Sequence, residues 1–265
     1  MTLPVPTAEF SSLVYGPGGV ALDDPAEGFH EASRLYPDIA PGRLTALLEL
    51  ARNPSLQQTV ARSSRTHPQR PGVDLPHANV GCASLDHAFA LRRSMAPAEP
   101  ALLSLEHLAA LLAAAYRSIG GRRPVPSGGA LYPLELYVVA LTVESIESAS
   151  YHYDPFRHRL ERIGPGVRAD VGAALVDPAL AENAAALIVV TAMFWRSRFK
   201  YGLRGYRFAL LEAGHAVQNA VLAAGALRVP ALPLGGFYDR RADDLVGADG
   251  LDEATVYAVL LGGRT

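Results

Sequence analysis

Cysteine is almost absent from this chain of 265 residues. Cys82 stands alone, so no internal disulfide and no cysteine-built metal cluster can form, and it reads as a small buried or half-buried side chain. Long apolar runs are missing too. Polar residues interrupt every stretch well before the roughly 18 residues a membrane-spanning helix needs. Charge of one sign is not in excess: 24 Lys and Arg face 26 Asp and Glu, a net charge of −2 that gives no footprint for nucleic acid or a membrane surface. The opening MTLPVPTAEF has neither a basic region nor an apolar core of signal-peptide type, so a cytoplasmic protein is expected. Histidines at 30, 67, 77, 87, 107, 152, 158 and 215 are scattered without metal-ligand spacing, and no metal site is expected. Neither a G-x-G-x-x-G turn after a strand nor G-x-x-x-x-G-K-[ST] occurs, which removes the Rossmann and P-loop routes to nucleotide binding. Internal repeats are absent.

What is present is a core-forming composition, with 49% hydrophobic residues. Residues 1–80 form an N-terminal extension of uncertain structure. It holds a helical pattern over 41–53 and a polar loop or linker over 63–72. Residues 81–265 are more regular and read as the catalytic domain. Ser84 and Ser104 are N-caps for helices, the second strongly amphipathic with Glu106 in its first turn. Residues 120–133 are turn-rich. Strands are expected at 135–143 and 186–194, a hairpin at 151–153 and 159–163, and short late strands at 232–237 and 255–261. Residues 208–227 make a long, nearly all-apolar helix, which belongs in a core or a subunit interface. Without strict βαβ alternation the class is α+β.

Four local features carry chemistry. Pro126-Ser127-Gly128-Gly129, followed by Ala130-Leu131-Tyr132-Pro133, is a fixed turn whose backbone can approach a ligand closely. Arg92-Arg93-Ser94 offers two guanidinium forks and a hydroxyl to a phosphate. Arg62-Ser63-Ser64-Arg65 and Arg122-Arg123 are competing basic clusters. Arg196, Arg198, Lys200, Arg204 and Arg207 alternate with Phe199, Tyr201 and Tyr206. That mixture reads either as a solvated helix face or as a Lys-Tyr pair able to act as acid or base. His215 and Gln218 share one face of the long helix, where a lone histidine reads first as a hydrogen-bonded core residue.

Read in order, R-R-S, S-L-E-H-L-A-A-L-L, P-S-G-G-A-L-Y-P-L-E-L-Y, Y-H-Y-D-P, F-K-Y-G-L-R-G-Y-R, L-L-E-A-G-H-A-V-Q-N and L-L-G-G-R resemble the SagB-type branch of the FMN-dependent nitroreductase family. These dehydrogenases oxidise thiazolines and oxazolines in ribosomal peptide natural products. The resemblance covers residues 84–265 and reaches weakly to 29–35.

The resemblance implies a nitroreductase-like fold, a central mostly antiparallel sheet flanked by helices, and an intertwined homodimer holding FMN at its interface. Arg92, Arg93 and Ser94 would contact the FMN phosphate and ribityl chain. A further basic residue usual two positions after the serine is Ala96 here, which shifts phosphate neutralisation toward Arg264. Pro126, Ser127, Gly128 and Gly129 match the segment that the other subunit lays against the isoalloxazine. Gly235 and Gly236 match the backbone near flavin N5, and Gln218 is a looser polar contact. Lys200-Tyr201 matches the catalytic pair of azoline-oxidising members. Aromatising an azoline removes a weakly acidic proton from the ring α-carbon and a hydride from its neighbour, so a base and a fixed geometry are needed. Tyr201 is the expected base, Lys200 its charge partner, with O2 reoxidising the flavin. The expected function is azoline oxidation in a peptide precursor beside a cyclodehydratase. Alternatives are a SagB-like flavoprotein on another small molecule, an NAD(P)H-dependent nitroreductase, and a non-catalytic scaffold subunit.

Overall fold

The two most apolar runs in the sequence lie side by side at the centre of a sheet. The computed structural model describes residues 24–36, 52–53, 55, 59, 64–78, 80–81 and 84–263. In chain order these form helix α1 (Pro25–Ala32), strand β1 (Gly72–Asp74), α2 (Leu85–Leu91), α3 (Leu105–Tyr116), β2 (Leu134–Ala140), β3 (Ala149–Asp154), β4 (Arg159–Pro165), α4 (Arg168–Ala174), β5 (Ala186–Met193), α5 (Trp195–Tyr201), α6 (Leu203–Leu227), β6 (Ala231–Leu234), α7 (Asp239–Val246) and β7 (Glu253–Leu261). The strands make one seven-stranded sheet in the order β1-β4-β3-β2-β5-β7-β6, and every pairing is antiparallel. This is the α+β arrangement expected.

Period-2 alternation explains why β2 and β5 read as continuous apolar runs: both of their faces are covered. Leu136, Val138, Ile188 and Val190 point into a core shared with α3 and α6. Tyr137, Val139, Leu187 and Val189 point into a second core, with Val171 and Leu175 on or just beyond α4 and Val246 on α7. Each fully buried Val or Leu contributes about 1.5–3 kcal/mol, so the central strands are the least replaceable part of the chain. The caps are as expected. Ser84 Oγ accepts from His87 N at 3.2 Å, and Ser104 Oγ accepts from His107 N at 3.1 Å.

Some boundaries differ from expectation. The first central strand ends at Ala140 rather than 143, and the long helix begins at Leu203 rather than 208. Strand β1 lies within residues 1–80 yet pairs with β4 at the sheet edge. The helix expected over 41–53 falls almost wholly outside the described residues, as does Cys82. The polar loop after residue 63 is a loop, but one tied to the body through Ser64, Arg65 and His67.

Candidate active site

Helices α5 and α6 fold back on each other at Gly202, and the crossing is tight. A Cβ at Gly205 would lie 2.6 Å from the backbone of Ser197, so only glycine permits the approach. That crossing presents Lys200 and Tyr201, both half-buried, to a cleft of about 750 Å³. Phe194, Trp195, Phe199 and Phe208 supply its aromatic walls, and Ala32 to Leu35 close one side. Helix α1 is held there by its own contacts: the Phe29 ring meets Tyr206 edge-on at 5.3 Å, and Arg207 donates to the His30 carbonyl at 2.7 Å. The cleft is basic. Arg198, Lys200 and Arg204 line it with no ion-pair partner among the described residues, against the single carboxylate of Asp252.

The P-S-G-G turn lies on the same cluster. A Cβ on Gly129 would lie 2.6 Å from Lys200 Nζ and 2.7 Å from the Tyr201 hydroxyl, and Gly128 packs on the Phe208 ring. Gly129 is left-handed at φ 64°, and so are Ala130 at 54° and Tyr132 at 47°. Non-glycine residues held this way cost on the order of 1–3 kcal/mol each and persist only where surroundings over-determine them. Here Ala130 N donates to Ser127 O at 3.0 Å, and Tyr132 N donates to Ser127 Oγ at 2.9 Å. Replacing Gly129 with alanine is therefore expected to push the Lys200 ammonium and the Tyr201 hydroxyl aside while the core stays intact. Steady-state kinetics should show kcat lowered at least tenfold with a shift in melting temperature of only a few degrees.

Beneath the turn is a polar cluster that the sequence reading missed. Glu212, on α6, accepts from Tyr116 OH at 2.5 Å, and burial pushes its carboxyl up to about 7. Arg123 is buried with its guanidinium over the rings of Tyr116 (4.1 Å) and Tyr132 (4.7 Å), and its three guanidinium nitrogens make no hydrogen bond among the described residues. The available signal was a lone acid inside an apolar helical run, A-L-L-E-A-G-H.

A second missed cluster anchors α5. Arg196 was expected in a basic run but is buried, its Nη1 2.6 Å from Glu135 Oε1. Glu135 also takes His152 Nε2 at 2.9 Å, Ser64 Oγ at 3.0 Å and Arg65 N at 2.9 Å. Burial pushes the Glu135 carboxyl up, but His152, Arg196 and the Arg65 N–H outweigh it and hold it at about 2. Arg65 also reaches buried Glu253 at 3.1 Å. Two of the competing basic clusters are thus internal ion-pair or ring partners at Arg65 and Arg123.

The remaining expected site residues lie elsewhere in the chain. Arg92, Arg93 and Ser94 follow α2, with Arg92 backbone 3.1 Å from a Cβ at Gly225 near the end of α6, and Met95 N donating to Ala231 O at 2.9 Å. Gly235 and Gly236 are exposed just after β6; a Cβ on Gly235 would meet nothing within 4 Å. Phe208, under the turn, and Gly225 are about 25 Å apart along α6 at 1.5 Å per residue. The structure therefore joins Pro126–Gly129 to Lys200 and Tyr201, places Arg92 beside the far end of the same helix, and sets Gly236 against Val176, just after α4. Between Phe208 and Gly225, Leu211 (61% exposed), Gly214, His215 and Gln218 form an outward stripe on α6, so His215 is a surface residue, not a core one. Arg264 lies outside the described residues.

Comparison with known proteins places this geometry in a family. A candidate nitroreductase of Methanocaldococcus jannaschii is 34% identical over 168 residues, which are 61% of this chain and 83% of that one. The microcin B17-processing protein McbC of Escherichia coli is 32% identical over 146 residues, and the match covers 53% of either chain. Among solved structures, the Escherichia coli microcin synthetase McbBCD complex with truncated pro-MccB17 bound contains a chain of the same fold, at a TM-score of 0.58 and 24% identity, with 89% of this chain and 86% of that one covered. Residues 90–263 match the nitroreductase family model, and the chain belongs to the nitroreductase family.

Proposed function

We propose that the chain is an FMN-dependent dehydrogenase of SagB type which, as a homodimer, aromatises thiazoline or oxazoline rings in a peptide precursor. The convergence of Gly129 on Lys200 Nζ and the Tyr201 hydroxyl at the basic, aromatic cleft carries this reading. The likeness to McbC, named for processing microcin B17, supports the substrate class.

The residues present suit a flavin. Arg92 and Arg93 form no ion pair among the described residues and stand beside Ser94, a donor set free for a phosphate. Arg264 would add a third cation where Ala96 supplies none. The open backbone at Gly235, next to Gly236, leaves room for a ring edge, and Gln218 lies on the exposed stripe of α6. Because Arg92–Ser94 and the Pro126–Gly129 turn sit toward opposite ends of α6, a second copy lying across the exposed Leu211–Gln218 stripe would complete each site, its own Pro126–Gly129 turn meeting the first copy's arginines. When bound, FMN supplies the hydride acceptor, with O2 as final oxidant.

The chain's own groups do the rest. Tyr201 takes the α-proton of the azoline. The Lys200 ammonium stands 5.1 Å from the centre of the Tyr201 ring and sets a positive charge beside it. Phe199, Trp195 and Phe208 line the cleft with aromatic surface against which a planar ring would stack. A separate cyclodehydratase would supply the azoline. Incubating flavin-loaded protein with an azoline peptide should remove about 2 Da per ring, one proton and one hydride. Normal flavin binding without that mass change would rule out the substrate assignment.

An NAD(P)H-driven reductase on the same fold draws support from Arg198 and Arg204, cations of the cleft with no ion-pair partner among the described residues, which would suit a second, anionic substrate. Rapid anaerobic bleaching of bound flavin by NADPH would select it.

A further inference from the structure

Glu212 is the only charged side chain among the buried residues of α6. It lies one helical turn beyond Phe208, and its carboxyl reaches both ends of the turn that carries Gly129. At one end Oε1 accepts from Tyr116 OH at 2.5 Å, and that hydroxyl oxygen accepts in turn from Leu134 N, the first residue of β2, at 3.2 Å. At the other end the Ser127 hydroxyl, already accepting from Tyr132 N, lies against the same carboxyl. Between these ends Gly129, Ala130 and Tyr132 are all left-handed, a conformation the backbone does not hold unaided. Glu212 plays no part in taking the proton or in placing the flavin.

We propose that Glu212 is a positioning residue, a latch that holds the strained 127–134 turn closed against Lys200 and Tyr201. The arrangement suits a neutral acid. Arg123, the nearby cation, stays over the rings of Tyr116 and Tyr132 and forms no ion pair with Glu212, and Oε2 has no completed hydrogen bond. A proton on Oε2 keeps the carboxyl neutral beside Ser127, so no buried charge has to be satisfied beneath the turn. Losing that proton leaves a buried charge that draws Arg123 off Tyr132 or draws water in, and either loosens the turn. Burial places this ionisation near neutrality, opposed by Ser127, Tyr116 and Arg123, so the latch is set to open at about pH 7. The groups facing the carboxyl are Tyr116 from α3 and Ser127, Arg123 and Tyr132 from the turn segment. Lys200 and Tyr201 of α5 lie beyond Gly129, and His215 faces away on the surface of α6.

The inference rests on the proposed chemistry only for its effect on turnover, and the test separates the two. In full-length chain labelled with 15N-glycine, the Gly129 amide resonance should move with a single midpoint near pH 7. In Glu212→Gln, where an amide copies the neutral acid, it should stay at its low-pH position throughout. In Tyr116→Phe, where one stabiliser of the charged form is lost, the midpoint should rise. In azoline turnover, kcat of the wild type should fall about tenfold per pH unit above the midpoint at unchanged KM, and Glu212→Gln should flatten that limb. A Gly129 resonance that is fixed in the wild type, or that titrates alike in wild type and Glu212→Gln, would overturn the latch. Intact titration with no azoline turnover in any variant would instead overturn the substrate reading and leave the latch standing.

Discussion

Lys200→Ala and Tyr201→Phe should each lower azoline turnover by about 10²–10⁴-fold, the range removed with a positioned acid or base, while the protein stays yellow. The separation of the two clusters within the chain underlies both halves of that result. Lys200 Nζ and the Tyr201 hydroxyl converge on Gly129 at the cleft, whereas Arg92, Arg93 and Ser94 sit beside Gly225 at the other end of α6. Removing a cleft side chain therefore takes away proton transfer and leaves the phosphate donors untouched. Neither replacement disturbs a buried group of the core, since both side chains are half-buried. Rates from flavin-loaded protein, normalised to flavin content, check this directly. Retained turnover in both variants would remove the pair as catalysts.

Glu135→Ala should be the most destabilising of these single changes. It strands Arg196 and His152, both buried, without their common carboxylate. Removing one partner of a buried pair costs about 3–5 kcal/mol, a fall in melting temperature of about 10 °C for a domain of this size. It also frees the start of α5, so activity should drop before unfolding does. Acid should act on the same bond. The folded carboxyl is held at about 2, below its ordinary 4.5, so the folded chain binds fewer protons than the unfolded one between those values. Its contribution is complete above pH 4.5 and is lost as pH falls toward 2, on the order of 3 kcal/mol in all. Thermal melts across that range should show a slope in the wild type that Glu135→Ala lacks.

The elements were legible in the sequence because their signals are local. Ser84 and Ser104 cap the helices they were expected to cap, and β2 and β5 read as strands because both faces are apolar. The Lys200-Tyr201 pair and the P-S-G-G turn were legible separately. Their contact was not, because it depends on Gly205 letting α5 cross α6, a long-range packing event. The buried charges were hidden for the same reason. Arg196 stands among exposed basic residues and differs from them only through Glu135, 61 positions away. Glu212 and Arg123 look like a stray acid in an apolar helix and half of a basic pair until the sheet places them under one turn. Strand β1 carries no strong pattern of its own, and its pairing with β4 is set by the far edge of the sheet.

The claim that the chain is a flavin enzyme is tested most directly by its absorbance spectrum. Full-length protein incubated with FMN and passed through a gel-filtration column should retain bands near about 370 and about 450 nm, chromophore properties nearly independent of the host protein. A folded protein that leaves the column colourless, with all FMN eluting behind it, would contradict the account.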